Sequence, residues 1–296
     1  MSKKITEQKL ILGLPAGSLK EATVDLFKKA GFRITIEERS YTPYIDDPGI
    51  ECMLMRAQEI PAYVENGVLD AGITGKDWIE ERGAKVVEAC ELAYSKKGFN
   101  PVRLCLAVSN DSKIKNVSDL KGKRIATEFV GLTKRYLREN RVNAKVEFSW
   151  GATESKPPKL TDAIVELVDS GKSIQANNLK VIDTIMESTT RLVANEKSWR
   201  NKWKQEKIKN IAMLLKGALA AENMVGLKMN LRRKNLRKTL VLLPALNRPT
   251  LANLSDRGWL SLEIILAEQT VKELIPALKR IGAEKIIEYP LNKIIY

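Results

Sequence analysis

The chain has 296 residues, with 50 Lys and Arg against 36 Asp and Glu and no histidine. That length allows two domains with ample core, 44% apolar and 29% charged residues exclude a disordered chain, and no apolar run approaches the ~18 residues of a membrane span. The formal charge of +14 points to anionic ligands, and the lack of imidazole leaves proton transfer to carboxylate, Lys, Tyr, Cys or the substrate itself.

Basic residues are spread along the whole chain and aromatic residues make up only 6%, so small phosphates fit better than nucleic acid. Cys52, Cys90 and Cys105 are odd in number, scattered and without a CxxC pair. This favours reduced thiols over a disulfide frame or a zinc site. The N-terminus has basic residues but no hydrophobic signal core behind them, so a cytoplasmic protein is expected.

In chain order, Lys9 to Leu14 reads as a strand running into Pro15-Ala16-Gly17-Ser18, and Leu19 to Ala30 as a helix stopping at Gly31. Phe32 to Glu37 reads as a second strand, Ser40 to Gly49 as a loop, Cys52 to Met55 as a strand and Ala57 to Asn66 as a helix. Leu69-Asp70-Ala-Gly-Ile-Thr74-Gly75-Lys76 gives a short apolar strand, then a hydroxyl-Gly-Lys triplet opening a helix. Val102 to Val108 and Lys123 to Glu128 read as strands, Leu132 to Glu139 as a basic helix and Ala144 to Phe148 as a strand.

Asp162-Ala-Ile-Val-Glu-Leu-Val-Asp169 then repeats the earlier pattern: a buried strand ends in Asp169-Ser170-Gly171-Lys172-Ser173. Glycine lets backbone N–H groups turn inward and the serines add hydroxyl donors, which suits a phosphate. Turn chemistry and a helix N-cap account for the same residues without a ligand. The two similar units predict two α/β lobes whose loops converge on a cleft.

Ile174 to Leu179 looks helix-like and is followed by Val181 to Ser188. Thr190 to Ala194 reads as a strand, and Asn195 to Gly217 as a helical return with Trp199 and Trp203 in the core. From Met224 the order is strand, helix, strand, strand, helix, strand, which is ferredoxin-like. The fold class is therefore α/β. Residues 1–217 are expected to form the two-lobed region, with lobe I at about 1–100 and 195–217 and lobe II at about 101–194, and residues 218–296 a ferredoxin-like domain.

Leu-Pro-Ala-Gly-Ser-Leu (14–19), Gly-Ile-Thr-Gly-Lys-Asp (72–77), Ala-Thr-Glu-Phe (126–129), Gly-Ala-Thr-Glu (151–154) and the 162–171 stretch recur in one order in a known family. So do Leu-Leu-Lys-Gly-Ala-Leu (214–219), Gly-Leu-Lys-Met-Asn (226–230) and Ala-Leu-Asn-Arg-Pro-Thr (245–250). From about Leu10 to its end the chain resembles the long form of the ATP phosphoribosyltransferases of histidine biosynthesis. The resemblance implies a two-lobed catalytic core like that of periplasmic binding proteins and a ferredoxin-like regulatory domain.

The implied reaction joins N1 of ATP to C1 of phosphoribosyl pyrophosphate and releases pyrophosphate, with Mg²⁺ held mainly by the substrate phosphates. The lack of histidine fits, because N1 of adenine brings its own lone pair. The resemblance makes Asp169, Arg56 and Glu154 catalytic, and Asp169, Ser170, Gly171, Lys172, Ser173 and Ile174 the phosphoribosyl pyrophosphate site. It puts Gly17, Arg56, Asp70, Thr74, Lys123 and Arg124 on ATP or pyrophosphate, and Asn230, Thr250 and Leu254 on histidine as feedback inhibitor. A homo-oligomer, dimer or hexamer, is implied; no membrane or nucleic-acid partner is expected.

Many relatives carry Lys-Gly-Arg where this chain has Ala16-Gly17-Ser18, which removes two cations from the first loop. Ser170 and Ser173 replace common threonines, Asn178 a frequent glycine, and Asn230 stands where a carboxylate would better hold an ammonium. A two-lobed effector- or solute-binding module without catalysis is the competing reading, and a regulatory partner built from the tail is a third.

Overall fold

The computed structural model describes residues 8–38, 40–94, 101–244 and 248–296. The chain divides into two compact units, Met1–Ala212 and Met213–Tyr296. The division falls a little before the expected 217/218 boundary, inside a long helix.

The first unit opens with β1 (Leu10–Ala16), α1 (Lys20–Ala30), β2 (Ile34–Thr35), β3 (Tyr44–Ile45), β4 (Ile50–Arg56) and α2 (Ile60–Glu65). It continues with β5 (Ala71–Gly75), α3 (Lys76–Arg82), β6 (Val87–Leu92), β7 (Val102–Ser109), β8 (Arg124–Thr127), α4 (Val130–Glu139) and β9 (Lys145–Phe148). Then come β10 (Ala163–Val168), α5 (Lys172–Ala176), β11 (Leu179–Ser188), β12 (Thr190–Ala194), α6 (Glu196–Arg200) and α7 (Lys202–Ala220). Two five-stranded sheets, β4-β1-β5-β12-β6 and β11-β7-β10-β8-β9, each frame one lobe, and β2 pairs with β3 in a small two-stranded sheet.

In the first sheet β4, β1 and β5 run parallel, and all of β5 is buried, as central parallel strands require. In the second sheet β10, β8 and β9 run parallel while β7 is antiparallel to β10. Leu104, Leu106, Val108, Ile125, Phe129 and Val165 are buried together in the core of that lobe.

Three expectations need correction. Lobe II ends at β11 rather than at 194: Thr190–Ala194 pairs antiparallel with β5 and β6 of the first sheet. The stretch Ile174 to Ser188 is mostly strand, with α5 ending at Ala176 and β11 paired to β7. The strand expected over 32–37 keeps two residues, Ile34–Thr35, which pair with Tyr44–Ile45 in the expected loop.

Asn178 has a left-handed backbone (φ +54°) between α5 and β11, a conformation asparagine tolerates best after glycine. That explains why asparagine serves at a position where glycine is frequent.

In the second unit β13 (Met224–Arg232), α8 (Leu236–Leu242), β14 (Thr250–Asn253), β15 (Trp259–Ala267), α9 (Glu268–Arg280) and β16 (Glu284–Pro290) follow in order. The sheet runs β14-β15-β13-β16 and is antiparallel throughout, the ferredoxin-like arrangement. Alternation in β15 buries Leu260, Leu262, Ile264 and Leu266 with Val271, Leu274 and Leu278 of α9. Of the motif at 245–250, residues 245–247 lie outside the described residues.

Candidate active site

Parallel strands deliver their carboxyl ends to one edge of a sheet, and in this unit the two edges face each other. Ala16, Arg56 and Gly75, the last residues of β1, β4 and β5, line a cleft of about 490 Å³. From the second sheet come Glu128 and Phe129 after β8, and Asp169 after β10. Crevices at strand carboxyl ends are where open α/β sheets bind ligands.

The loop after β10 brings small, hydroxyl-bearing and charged residues to the cleft. Asp169, Ser170, Gly171, Lys172, Ser173 and Ile174 all line it. Gly171 is left-handed (φ +74°), a backbone conformation that glycine adopts without the strain a side chain would bring, and it sets the turn from β10 into α5. Ser173 Oγ donates to Glu154 Oε1 at 2.6 Å, which brings Glu154 from its short 3-10 turn to the loop. The helix behind, α5, spans only five residues, so the loop amides and hydroxyls carry more of the cradle than a helix dipole does.

Arg56 faces this loop from the other lobe. A Cβ on Gly17 (φ +85°) would lie 3.2 Å from Arg56 Nη1, so glycine leaves the guanidinium its room. Gly17 itself is flanked by Ala16 and Ser18, which both line the cleft.

Sequence reading missed Asp77, Glu128 and Glu166, which also line the cleft. The signal for Glu166 was present: it is the one acid in the apolar run Ala163 to Val168. Burial pushes its carboxyl up to about 7, the Glu154 and Glu128 carboxylates add to the rise, and the Leu167 N–H bond opposes it. Asp77 is raised by burial too, against hydrogen bonds with Ser188.

The shift of Glu166 predicts a pH dependence of stability. The folded chain holds a proton that the unfolded chain releases near the ordinary 4.5. Stability therefore falls as pH rises from 4.5 toward 7 and levels off above, by about 2 kcal/mol after allowance for partial exposure. Glu166→Gln is expected to lose that decline, so urea unfolding at pH 5 and pH 8 should show the variant gaining on the wild type at the higher pH. An equal difference at both values would refute it.

Four expected ligands are turned elsewhere. Asp70 precedes β5, at the end of the sheet away from the cleft; it accepts the Ile11 N–H at 2.9 Å and the Ser198 hydroxyl at 2.6 Å, and pairs with Lys204 Nζ at 2.6 Å. Thr74 is fully buried and donates to the Ala57 carbonyl at 2.8 Å, so it braces the cleft wall without reaching the cavity. Lys123 and Arg124 lie at the amino end of β8, where Lys123 faces Asp162 at 3.9 Å and the Arg124 N–H bonds Asp162 Oδ2. Parallel strands carry such residues to the edge opposite the cleft.

In the second unit Asn230 lies in β13, in register with Ser261 of β15, which is in register with Ala252 of β14. Thr250 begins β14 and Leu254 follows its end. Strand alternation puts Asn230, Thr250 and Ala252 on the sheet face opposite the buried Met229 and Leu231.

Residues 56–217 match the family model described as ATP phosphoribosyltransferase, and residues 221–293 match its C-terminal domain model. The ATP phosphoribosyltransferase of Pelotomaculum thermopropionicum is 58% identical over 97% of this chain and 99% of its own length. That of Thermodesulfovibrio yellowstonii is 56% identical, over 97% and 98%. Among solved structures, the ATP phosphoribosyl transferase (HisG:HisZ) complex from Thermotoga maritima aligns with a TM-score of 0.60 and 28% identity, over 70% of this chain and 96% of that one.

Proposed function

The chain belongs to the ATP phosphoribosyltransferase family, and we propose that it joins N1 of ATP to C1 of phosphoribosyl pyrophosphate, releasing pyrophosphate, as the first step of histidine biosynthesis. The observation that carries this is the opposition of Arg56 on one lobe to the Asp169–Ile174 loop on the other, across one cleft. The loop takes the 5′-phosphate, and Asp169, which phosphate would repel, takes the ribose hydroxyls. Arg56 takes the pyrophosphate.

The adenine N1 lone pair forms the new bond to C1 as the C1–oxygen bond to pyrophosphate breaks, its electron pair leaving with the pyrophosphate. No base is needed to create the nucleophile. Positive charge growing on the ribose is stabilised by Asp169 and Glu154, fixed groups that need no reorganisation.

Glu128, Glu154 and Asp169 line the cleft with Arg56 and Lys172, while burial favours the protonated forms of Glu166 and Asp77. Among the described residues no cluster of three or more carboxylates is gathered for a metal, which suits Mg²⁺ held mainly by substrate phosphates and water with one or two carboxylates. Glu128 and Asp169 would hold it, and it supplies charge neutralisation for the pyrophosphate.

Purified chain with ATP, phosphoribosyl pyrophosphate and Mg²⁺ is expected to release pyrophosphate. Binding of both ligands without release would favour the binding-module reading and overturn this one. Feedback by histidine belongs to the same proposal, at the sheet face bearing Asn230 and Thr250, with Leu254 just past the end of β14. Thr250→Ala is expected to weaken inhibition by histidine in the same assay; an unchanged inhibition curve would place the effector elsewhere. A cytoplasmic homo-oligomer, dimer or hexamer, completes the proposal. Among the described residues no helix is long and apolar enough to cross a membrane.

A further inference from the structure

Behind the cleft the two lobes are joined by a contact that the chemistry above does not use. Helix α4 of lobe II begins without a cap of its own: Phe129 at its N-cap position makes no side-chain bond to the first turn. Two amides of that turn are satisfied from the other lobe. Glu81, near the end of α3, accepts the Gly131 N–H through Oε1 and the Leu132 N–H through Oε2, both at 2.8 Å. A carboxylate at a helix N-terminus answers both the unpaired donors and the positive end of the dipole.

Independent contacts mark the same joint. Arg135 donates to the Glu80 carbonyl, and the Trp78 and Phe129 rings stack with centroids 4.3 Å apart. A Cβ on Gly131 would come within 2.9 Å of the Glu81 carbonyl oxygen, so the approach has no spare room. Trp78 and Phe129 line the cleft on their other side, with Glu128 next to Phe129.

We propose that Glu81 is a positioning residue for phosphoribosyl transfer: by capping α4 from the opposite lobe it fixes the gap across which the two substrates meet. The proposal rests on the transferase reading of the cleft. The Asp169–Ile174 loop sits wholly on lobe II and Arg56 on lobe I. A loosened joint therefore leaves each half-site intact and spoils only their alignment.

The test uses the full chain with Glu81→Ala and, separately, Gly131→Ala, which crowds the same joint while keeping the carboxylate. Turnover is expected to fall roughly 100-fold, the loss expected from a misalignment of about 1 Å, and the KM for phosphoribosyl pyrophosphate, which spans both lobes, to rise. Ribose 5-phosphate should bind both variants as it binds the wild type, since it needs lobe II alone. The Gly131 and Leu132 amides of Glu81→Ala should lose protection from hydrogen exchange.

If Glu81→Ala does not fold, Glu81→Gln, which keeps one acceptor oxygen, shows the same split on a smaller scale. Wild-type turnover in variants whose amides are exposed would overturn the proposal, as would loss of ribose 5-phosphate binding in step with turnover. A wild-type chain that releases no pyrophosphate overturns the transferase reading and this one together, whereas an active wild type with unaffected variants overturns this one alone.

Discussion

Gly171→Val combined with Asp169→Ala is expected to lower turnover by roughly 10³-fold or more while the chain still folds. At φ +74° a β-branched side chain is strained by about 1–3 kcal/mol. Only Val168 Cγ1, at 4.0 Å, stands near the position of the added Cβ. The penalty is thus conformational and not a clash: the loop moves to relieve it, and its amides no longer converge. Two or three charge-assisted bonds to the phosphate, at about 1–3 kcal/mol each, are enough for the predicted loss.

Asp169 is exposed, so its removal costs the fold little while stripping the ribose side of its carboxylate. Pyrophosphate release measures the first effect, and urea unfolding measures the second. Unchanged kinetics in this variant would take the loop out of the mechanism.

The loop was legible because its signal is local: an apolar run, then small residues, then a helix start. The strands of the second unit were legible for a similar reason, since an antiparallel sheet with one wet face alternates cleanly. What failed was non-local. No residue within Thr190–Ala194 says that the chain has returned to the first sheet; that is decided by its pairing with β5 and β6. β11 misled because register shifts at Val181/Asp183 and Thr184/Met186 break its alternation. Strand β6 went unread because Glu88 and Glu91 interrupt it, and they are there to meet Arg191 of β12.

The paired motifs teach a finer lesson. Asp70 and Asp162 hold equivalent places, each before a buried strand, and each accepts an N–H at the start of the neighbouring parallel strand: Ile11, second in β1, for Asp70, and Arg124, first in β8, for Asp162. The similarity was real, but at its aspartate end it marks a brace. The two motifs reach the cleft at their other ends, at Gly75 and Asp77 in the first and from Glu166 to Ile174 in the second.

The two braces differ in burial, and that difference predicts the cost of cutting each. Asp70 is 6% exposed, and its loss leaves Lys204, the Ser198 hydroxyl and the Ile11 amide without their shared acceptor. Removing one partner of a buried pair costs more than the pair contributes, because the remaining charge stays desolvated. Asp70→Ala is expected to destabilise the chain by about 3–4 kcal/mol.

The Asp162 side chain is 34% exposed and faces Lys123 at 3.9 Å, so Asp162→Ala should cost about 1 kcal/mol. Urea unfolding of the two variants side by side measures the gap. Ribose 5-phosphate binding by folded Asp70→Ala should match the wild type, because the brace lies on the first sheet and the phosphate loop on the second. A folded Asp70→Ala with normal stability and lost ATP binding would reverse this assignment and return Asp70 to the ligand.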